Sequence, residues 1–262
     1  MSRAAERARS IDLNADLGEL PEALADGREE ALLRLVTSAN VACGGHAGDE
    51  ATMAAVVALA RRLGVAVGAH PSYPDRAGFG RETIAMTPEA IENAVFEQVS
   101  ALASVASRLG VEVTHVKPHG ALYNDAARDG TIAAAVARAA RRRSPDATVV
   151  GLAGSVALKV YAFEGVRAIA ECFADRAYEP DGTLRSRKLP GAVLTDPTAV
   201  AEQAVSIACG GYATAYGGRV VRIRADTICI HGDNPAALLN AAAVRAALEA
   251  AGVVLSSVGG HR

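Results

Sequence analysis

Short runs rich in β-branched and small apolar residues alternate along the chain with longer stretches in which apolar residues recur every three or four positions. The short runs are SIDLN (10–14), TSANVA (37–42), VAVGAH (65–70), EVTHVK (112–117), ATVVGLA (147–153), VRAIAE (166–171) and TICIHG (227–232), and each reads as a strand. The longer stretches read as helices. In TPEAIENAVFEQVSALASVASRLG, Thr87 is placed to cap, Pro88 suits the first turn, and Gly110 ends the helix. Ile91, Val95, Val99, Leu102, Ala106 and Leu109 form its apolar stripe. DEATMAAVVALARRLG keeps the same period, and PTAVAEQAVSIACGG and NPAALLNAAAVRAALEAAG begin at proline and stop at glycine.

Strand–helix alternation predicts a parallel sheet covered by helices. Seven strands are one short of a standard (β/α) barrel. RVVRIRAD (219–226) is a further candidate strand, expected to pair with TICIHG. No Ser/Gly-rich linker or fixed-period repeat interrupts the pattern. One domain is therefore expected over 11–255, between a flexible leader (1–10) and a tail (256–262).

Polar residues gather where the strands end. Asn14, Asp16 and Glu19 follow the first strand, and Asn40, Cys43, His46 and Asp49 the second. His70 closes the third. Lys117 and His119 close the fourth, with Tyr123 and Asp125 just beyond Pro118, which removes a ladder donor. Glu171, Asp175 and Arg176 follow the sixth, and His231 and Asp233 the seventh. In a parallel α/β barrel these positions share the rim that carries catalysis.

The formal net charge of −2 gives no electrostatic reason to expect nucleic acid, and four Phe, six Tyr and no Trp leave few stacking platforms for bases or sugars. No apolar run is long enough to cross a bilayer, and the basic N-terminus lacks the apolar core of a secretory signal. Four scattered cysteines with no C-x-x-C pair fit a reduced, cytoplasmic protein.

Among the histidines, His46, His70 and His119 are site candidates, His115 is expected in a helix interface, and His261 lies in the tail. Asp16, His70 and His119 together suit a divalent cation, with a metal-free acid/base site as the alternative. Cys43 reads as an unreactive wall thiol rather than a nucleophile. DRAGFGRE and CGGHAGD offer backbone for an anion or simply tight turns; a P-loop is absent, and GFGRET is not G-x-G-x-x-G. ARAARRR (137–143) reads as a solvated helix end.

DLNADLGE, ANVACGGHAGD, VGAHPSYPDRAGFGRE, HVKPHGALYN, FADRAYEPDGTLRSR and ICIHGDNPAA together resemble the LamB/YcsF family, the family of 5-oxoprolinase A-subunits, over about Ile11 to Leu255. The resemblance implies an irregular seven-stranded TIM-like barrel of the glycoside hydrolase/deacetylase type. It also implies ATP-dependent opening of 5-oxoproline to glutamate, with Mg²⁺ carried by ATP and two partner subunits, B and C. Three departures stand out: Ala15 replaces the usual cysteine of the first motif, Gly45 replaces a phenylalanine, and LPEALADGREE lacks the usual SFG.

Under this reading Asp16 or Glu19 activates water, and His70 and His119 move protons or hold a metal. Lys117 and Arg81 hold phosphate or carboxylate charge, while His46, Asp49 and Asp175 shape the site. Asn14, Asn40, Tyr123, Arg176 and His231 complete the substrate and phosphate contacts, and a homo-oligomer is left open. The competing readings are a metal-dependent carbohydrate deacetylase and a non-catalytic subunit that binds a small acid.

Overall fold

The computed structural model describes residues 9–232 and 236–258. Most of the leader, Asp233, the Asn234–Pro235 start expected for the last helix and His261 lie outside the described residues. Six parallel strands build most of the barrel: β1 (Ser10–Leu17), β2 (Ser38–Ala42), β3 (Ala66–His70), β4 (Val113–Val116), β5 (Thr148–Leu152) and β6 (Arg167–Phe173). A short antiparallel hairpin follows, β7 (Tyr212–Thr214) with β8 (Val220–Arg222), and then β9 (Thr227–Ile230). Strand β9 pairs in parallel with both β6 and β1, closing a seven-stranded barrel, and β10 (Val254–Leu255) extends β1 at its start.

The seven expected barrel strands are therefore all present. The pairing expected for 219–226 is not. Its strand, β8, pairs with β7 in a surface hairpin, and Ile223 N–H is spent on the Gly211 carbonyl instead of on a barrel neighbour.

Between the strands run α1 (Pro21–Ala25), α2 (Arg28–Leu33), α3 (Glu50–Leu63), α4 (Pro88–Arg108), α5 (Gly120–Ala126), α6 (Gly130–Arg143), α7 (Val156–Phe163), α8 (Pro197–Val205) and α9 (Ala237–Ala250). The caps follow the sequence. The Thr87 side chain accepts from Ala90 N–H ahead of Pro88, and Asp196 accepts from Ala199 N–H ahead of Pro197. The α4 stripe Ile91, Val95, Val99, Leu102 and Ala106 is buried. Among the described residues no helix is long and apolar enough to cross a membrane.

The two faces of the strands differ in kind. On β1, Ile11, Leu13, Ala15 and Leu17 join the apolar layer under the helices, while Asp12, Asn14 and Asp16 bond across the barrel interior. Barrels of this class are commonly filled by branched aliphatics. Here the lumen carries a polar column instead. Asp12 accepts from Thr37, Ser38 and Thr227 hydroxyls, and Asn14 amide N–H groups reach Thr227 and Glu171.

His115 belongs to this column, not to a helix interface as its sequence position suggested. Its Nε2 lies 2.9 Å from Asn40 Oδ1, and the missing β-carbon of Gly68 makes room for its ring. Burial pushes the His115 imidazole down to about 3, so it stays neutral and donates Nε2–H to Asn40.

Candidate active site

At the C-terminal ends of the strands a cavity of about 510 Å³ is lined by Asp16, Glu19, His70, Lys117, His119, Tyr123 and His231, with Arg81, Arg128, Arg176, Arg185 and Arg187 on its walls. Two buried clusters form its floor.

The first centres on Lys117, which is only 2% exposed. Its Nζ lies 2.9 Å from Asp16 Oδ1, 3.0 Å from Glu171 Oε1, 3.1 Å from Cys229 Sγ and 3.3 Å from Asn14 Oδ1. Burial opposes the charge, but Asp16, Cys229 and Glu171 together outweigh it and Lys117 is held well above the usual range. Burial likewise opposes ionisation of Asp16, and the charges of His70 and Lys117 overcome it to hold that carboxyl well below its usual range. Expected to hold phosphate or carboxylate charge, Lys117 instead has its ammonium packed between two carboxylates of the protein itself.

The second cluster is Glu19, His46, His70 and His119, whose ligand-capable atoms lie within 4.8 Å of one another. His70 Nδ1 is 2.7 Å from the Lys117 carbonyl, and His119 Nε2 is 3.0 Å from the Phe79 carbonyl. A carbonyl only accepts, so both nitrogens carry hydrogen. The opposite nitrogens, His70 Nε2 and His119 Nδ1, then face each other at 3.0 Å, with Glu19 Oε1 at 3.7 and 3.1 Å. Two facing lone pairs require a shared proton or a cation between them. Burial opposes a charge on His70, yet the Asp16 charge raises it above its usual value, while burial lowers His119. The proton therefore sits on His70 when no cation is present, and the donor set fits a divalent metal in its place.

His46 stacks on His119 at 3.7 Å and reaches Glu19 Oε1 at 3.0 Å, but its buried Nδ1 has no partner. Burial lowers His46 to about 4, so it serves as a neutral donor to Glu19.

Beside the expected trio of Asp16, His70 and His119, this grouping brings in Glu19 and His46. Asp16 Oδ1 bonds Lys117 and Asn40 Nδ2, the latter at 2.8 Å. Its Oδ2 lies 3.4 Å from His70 Nε2.

The loop after β3 closes over these rings. Phe79 adopts a left-handed backbone (φ 55°), which turns its carbonyl to His119 and sets its ring edge-on to His46 and His119. At Gly80 (φ 63°) a β-carbon would meet His46 and His119 at 3.0–3.1 Å. Gly45, a departure from the family pattern, leaves space for buried Gln98. That side chain bonds both backbone groups of Ser72, at 3.0 and 2.8 Å, and so fixes the chain beyond His70.

The other expected residues divide by place. Asn14 and Asn40 lie beneath the cavity and position Asp16 and Lys117. Asp175 is buried against His231, whose Nδ1 is 3.0 Å away and whose ring stacks on Phe173. Arg176 lines the cavity while its guanidinium donates to the Ala192 and Arg185 carbonyls of the covering strap. Arg81 lies over the Phe79 ring, and Tyr123 is buried with its hydroxyl facing the Glu171 carboxylate.

Asp49 is a correction: it is exposed, accepts from Thr52 N–H at the start of α3, and has no place in the cavity. Cys43 is a buried thiol pushed up to about 12 by burial and does not line the cavity. Glu171, counted on the rim by the sequence but given no role there, and Phe79 and Gln98, which the sequence did not single out, carry parts of the site.

Comparison with known proteins bears on this arrangement. A family model described as the LamB/YcsF family matches residues 11–262. A protein of Chloroflexus aggregans, named as the A-subunit of 5-oxoprolinase, is 53% identical over 246 residues, covering 94% of this chain and 98% of its own length. Its namesake in Chloroflexus aurantiacus is 50% identical over 248 residues, covering 95% and 98%. The crystal structure of a lactam utilization protein from Thermus thermophilus superposes with a TM-score of 0.88 at 43% identity, covering 94% of this chain and 99% of that one.

Proposed function

The chain belongs to the LamB/YcsF family, and on that premise we propose that it is the ring-opening subunit of an ATP-dependent 5-oxoprolinase, converting 5-oxo-L-proline to L-glutamate in the cytoplasm together with two partner subunits. The observation that carries this reading is the Asp16 carboxylate. It is held ionised by Lys117 through Oδ1, while Oδ2 is left beside His70 at the cavity floor.

Water adds to the ring carbonyl carbon and gives its proton to Asp16 Oδ2. As the C–N bond breaks, Asp16 returns that proton to the departing ring nitrogen. Lys117, held between Asp16 and Glu171, keeps Asp16 ionised for this role. Arg81, Arg176 and Arg187 on the cavity wall suit the substrate carboxylate and a phosphate. ATP with Mg²⁺ would supply activation of the carbonyl oxygen as a phosphate, and a second water would release that phosphate from the opened side chain to leave the glutamate carboxylate. The wall cations fit that phosphate, but the chain has no glycine-rich phosphate loop, and the partners are assigned the nucleotide.

A divalent metal would be held by Glu19, His70 and His119, with His46 bracing Glu19, and would supply a Lewis acid beside the carbonyl.

The test is glutamate release from 5-oxoproline and ATP by this chain with its cognate partners. Asp16→Asn should lower kcat on the order of 10²–10⁴-fold. Unaltered turnover in that variant would overturn the assignment.

A further inference from the structure

We propose that the strap between β6 and α8, together with the β7–β8 hairpin, is the face on which the nucleotide-bearing partner subunit docks, presenting carboxylates around an apolar contact; the inference rests on the ring-opening function and the partner-held nucleotide given above.

The two segments form one surface. The strap (176–194) folds on itself through bridges between Arg176 and Val193 and between Tyr178 and Leu184. Beyond β7, Tyr216 donates its N–H to the Tyr178 carbonyl, and the Arg185 guanidinium stacks over its ring at 3.6 Å. A β-carbon on Gly191 would meet that ring at 3.1 Å, and one on Gly182 would meet Val221 at 3.4 Å, so strap backbone packs directly on the hairpin. Alternation along β8 and just past it decides what is left outside. Ile223 is buried and Val221 half-buried, while Val220, Arg222 and Arg224 are exposed.

Among the described residues eight large apolar side chains stand exposed, and half of them, Leu189, Val193, Tyr216 and Val220, belong to this surface. Single exposed apolar residues are ordinary, but a set gathered on two touching segments marks a contact face. The charge is as one-sided. The two segments hold seven Lys and Arg against only Glu179 and Asp181, in a chain whose formal net charge is −2. Arginines on a hairpin edge can guard it from unwanted pairing, yet that use needs no valine or tyrosine exposed among them. Tyr and Arg around an apolar centre are what protein interfaces enrich. The excess of cations selects an acidic partner and opposes a second copy, which would bring like charges together.

Placement decides which partner. Leu184, Arg185, Ser186, Arg187 and Lys188 of the strap line the cavity. The activating phosphate must reach the ring carbonyl inside that cavity, from a nucleotide for which this chain has no glycine-rich loop. A partner seated on the strap and hairpin brings its nucleotide to the cavity mouth, whereas one seated at the other end of the barrel does not.

The test is binding of the full chain to its cognate partner subunits by biolayer interferometry, with glutamate release followed alongside as partner concentration is varied. Val220→Asp and Arg222→Glu alter exposed side chains that do not line the cavity. Phe163→Asp is the control: Phe163 is 89% exposed and precedes β6, whereas the strap follows β6, so it lies toward the opposite end of the barrel. Each of the first two should raise Kd about 30-fold or more, with the melting temperature unchanged and kcat restored at saturating partner. Phe163→Asp should leave Kd within about twofold, and the wild-type affinity should fall as salt is raised. Wild-type affinity in both Val220→Asp and Arg222→Glu, or a loss confined to Phe163→Asp, overturns this inference while glutamate release leaves the proposed function standing. Self-association of the unaltered chain that Val220→Asp abolishes overturns it too, by giving the face to a second copy. No glutamate from the complete, unaltered assembly defeats the proposed function and this inference with it.

Discussion

Replacing Lys117 by methionine should destabilise the fold as well as the reaction. The ammonium is the only Lys or Arg charge in ion-pair contact with Asp16 and Glu171 among the described residues, at 2.9 and 3.0 Å, and all three side chains are buried. Methionine fills nearly the same space, so little cavity forms, and the loss is electrostatic: two carboxylates remain in the barrel without their cation. Breaking a buried pair in this way costs about 3–5 kcal/mol.

The cost should depend on pH. Asp16 is held well below its usual range, so it contributes stability that is present above its unfolded value near 3.9 and lost as pH falls through the folded value. Without Lys117 that contribution shrinks, and protonation of a carboxylate relieves the repulsion as the solution is acidified. The deficit of Lys117→Met is thus largest at neutral pH and narrows toward about pH 5. Urea unfolding of both proteins at about pH 7.5 and about pH 5 measures this. A deficit under about 1 kcal/mol at the higher pH, or one equal at both, would refute the claim that the cluster is a buried ion network.

Other outcomes follow from the same geometry. Glu19→Gln should lower the divalent metal content of nucleotide-free protein, measured by elemental analysis, whereas Asp16→Asn should leave it intact; metal lost in Asp16→Asn and kept in Glu19→Gln would favour the Asp16 trio instead. Metal affinity should weaken as pH falls, because His70, raised above its usual value, must release a proton to bind; calorimetric titration at several pH values checks this. A methyl group on Gly45 would overlap the Gln98 amide. Gly45→Ala should therefore lower stability by about 1–3 kcal/mol, seen in thermal unfolding, and Gln98→Ala should recover part of it. The isolated chain should release little phosphate from ATP in the presence of 5-oxoproline; release at the rate of the full assembly would remove the need for partners.

Much of this molecule was legible along the chain because its information is local. The strand runs, the Thr87–Pro88 and Asp196–Pro197 starts and the polar residues at strand ends follow from periodicity, capping and the rule that parallel barrels carry chemistry on one rim. Those rules placed Asp16, Glu19, His70, Lys117 and His119 in one cavity although 103 residues separate the first from the last. Local rules say nothing about which carboxylate meets which cation. Both carboxylates reach the histidines, Glu19 at 3.1 Å from His119 and Asp16 at 3.4 Å from His70, while Asn40 and Lys117 hold the other Asp16 oxygen. His115 turned inward because Gly68 on the neighbouring strand leaves it room. Asp49 looked like a rim residue but caps a helix, a choice between two local uses that spacing alone does not separate. Barrel closure sets these pairings, since a side chain one position along a strand changes face and only the register of seven strands decides what it meets across the lumen.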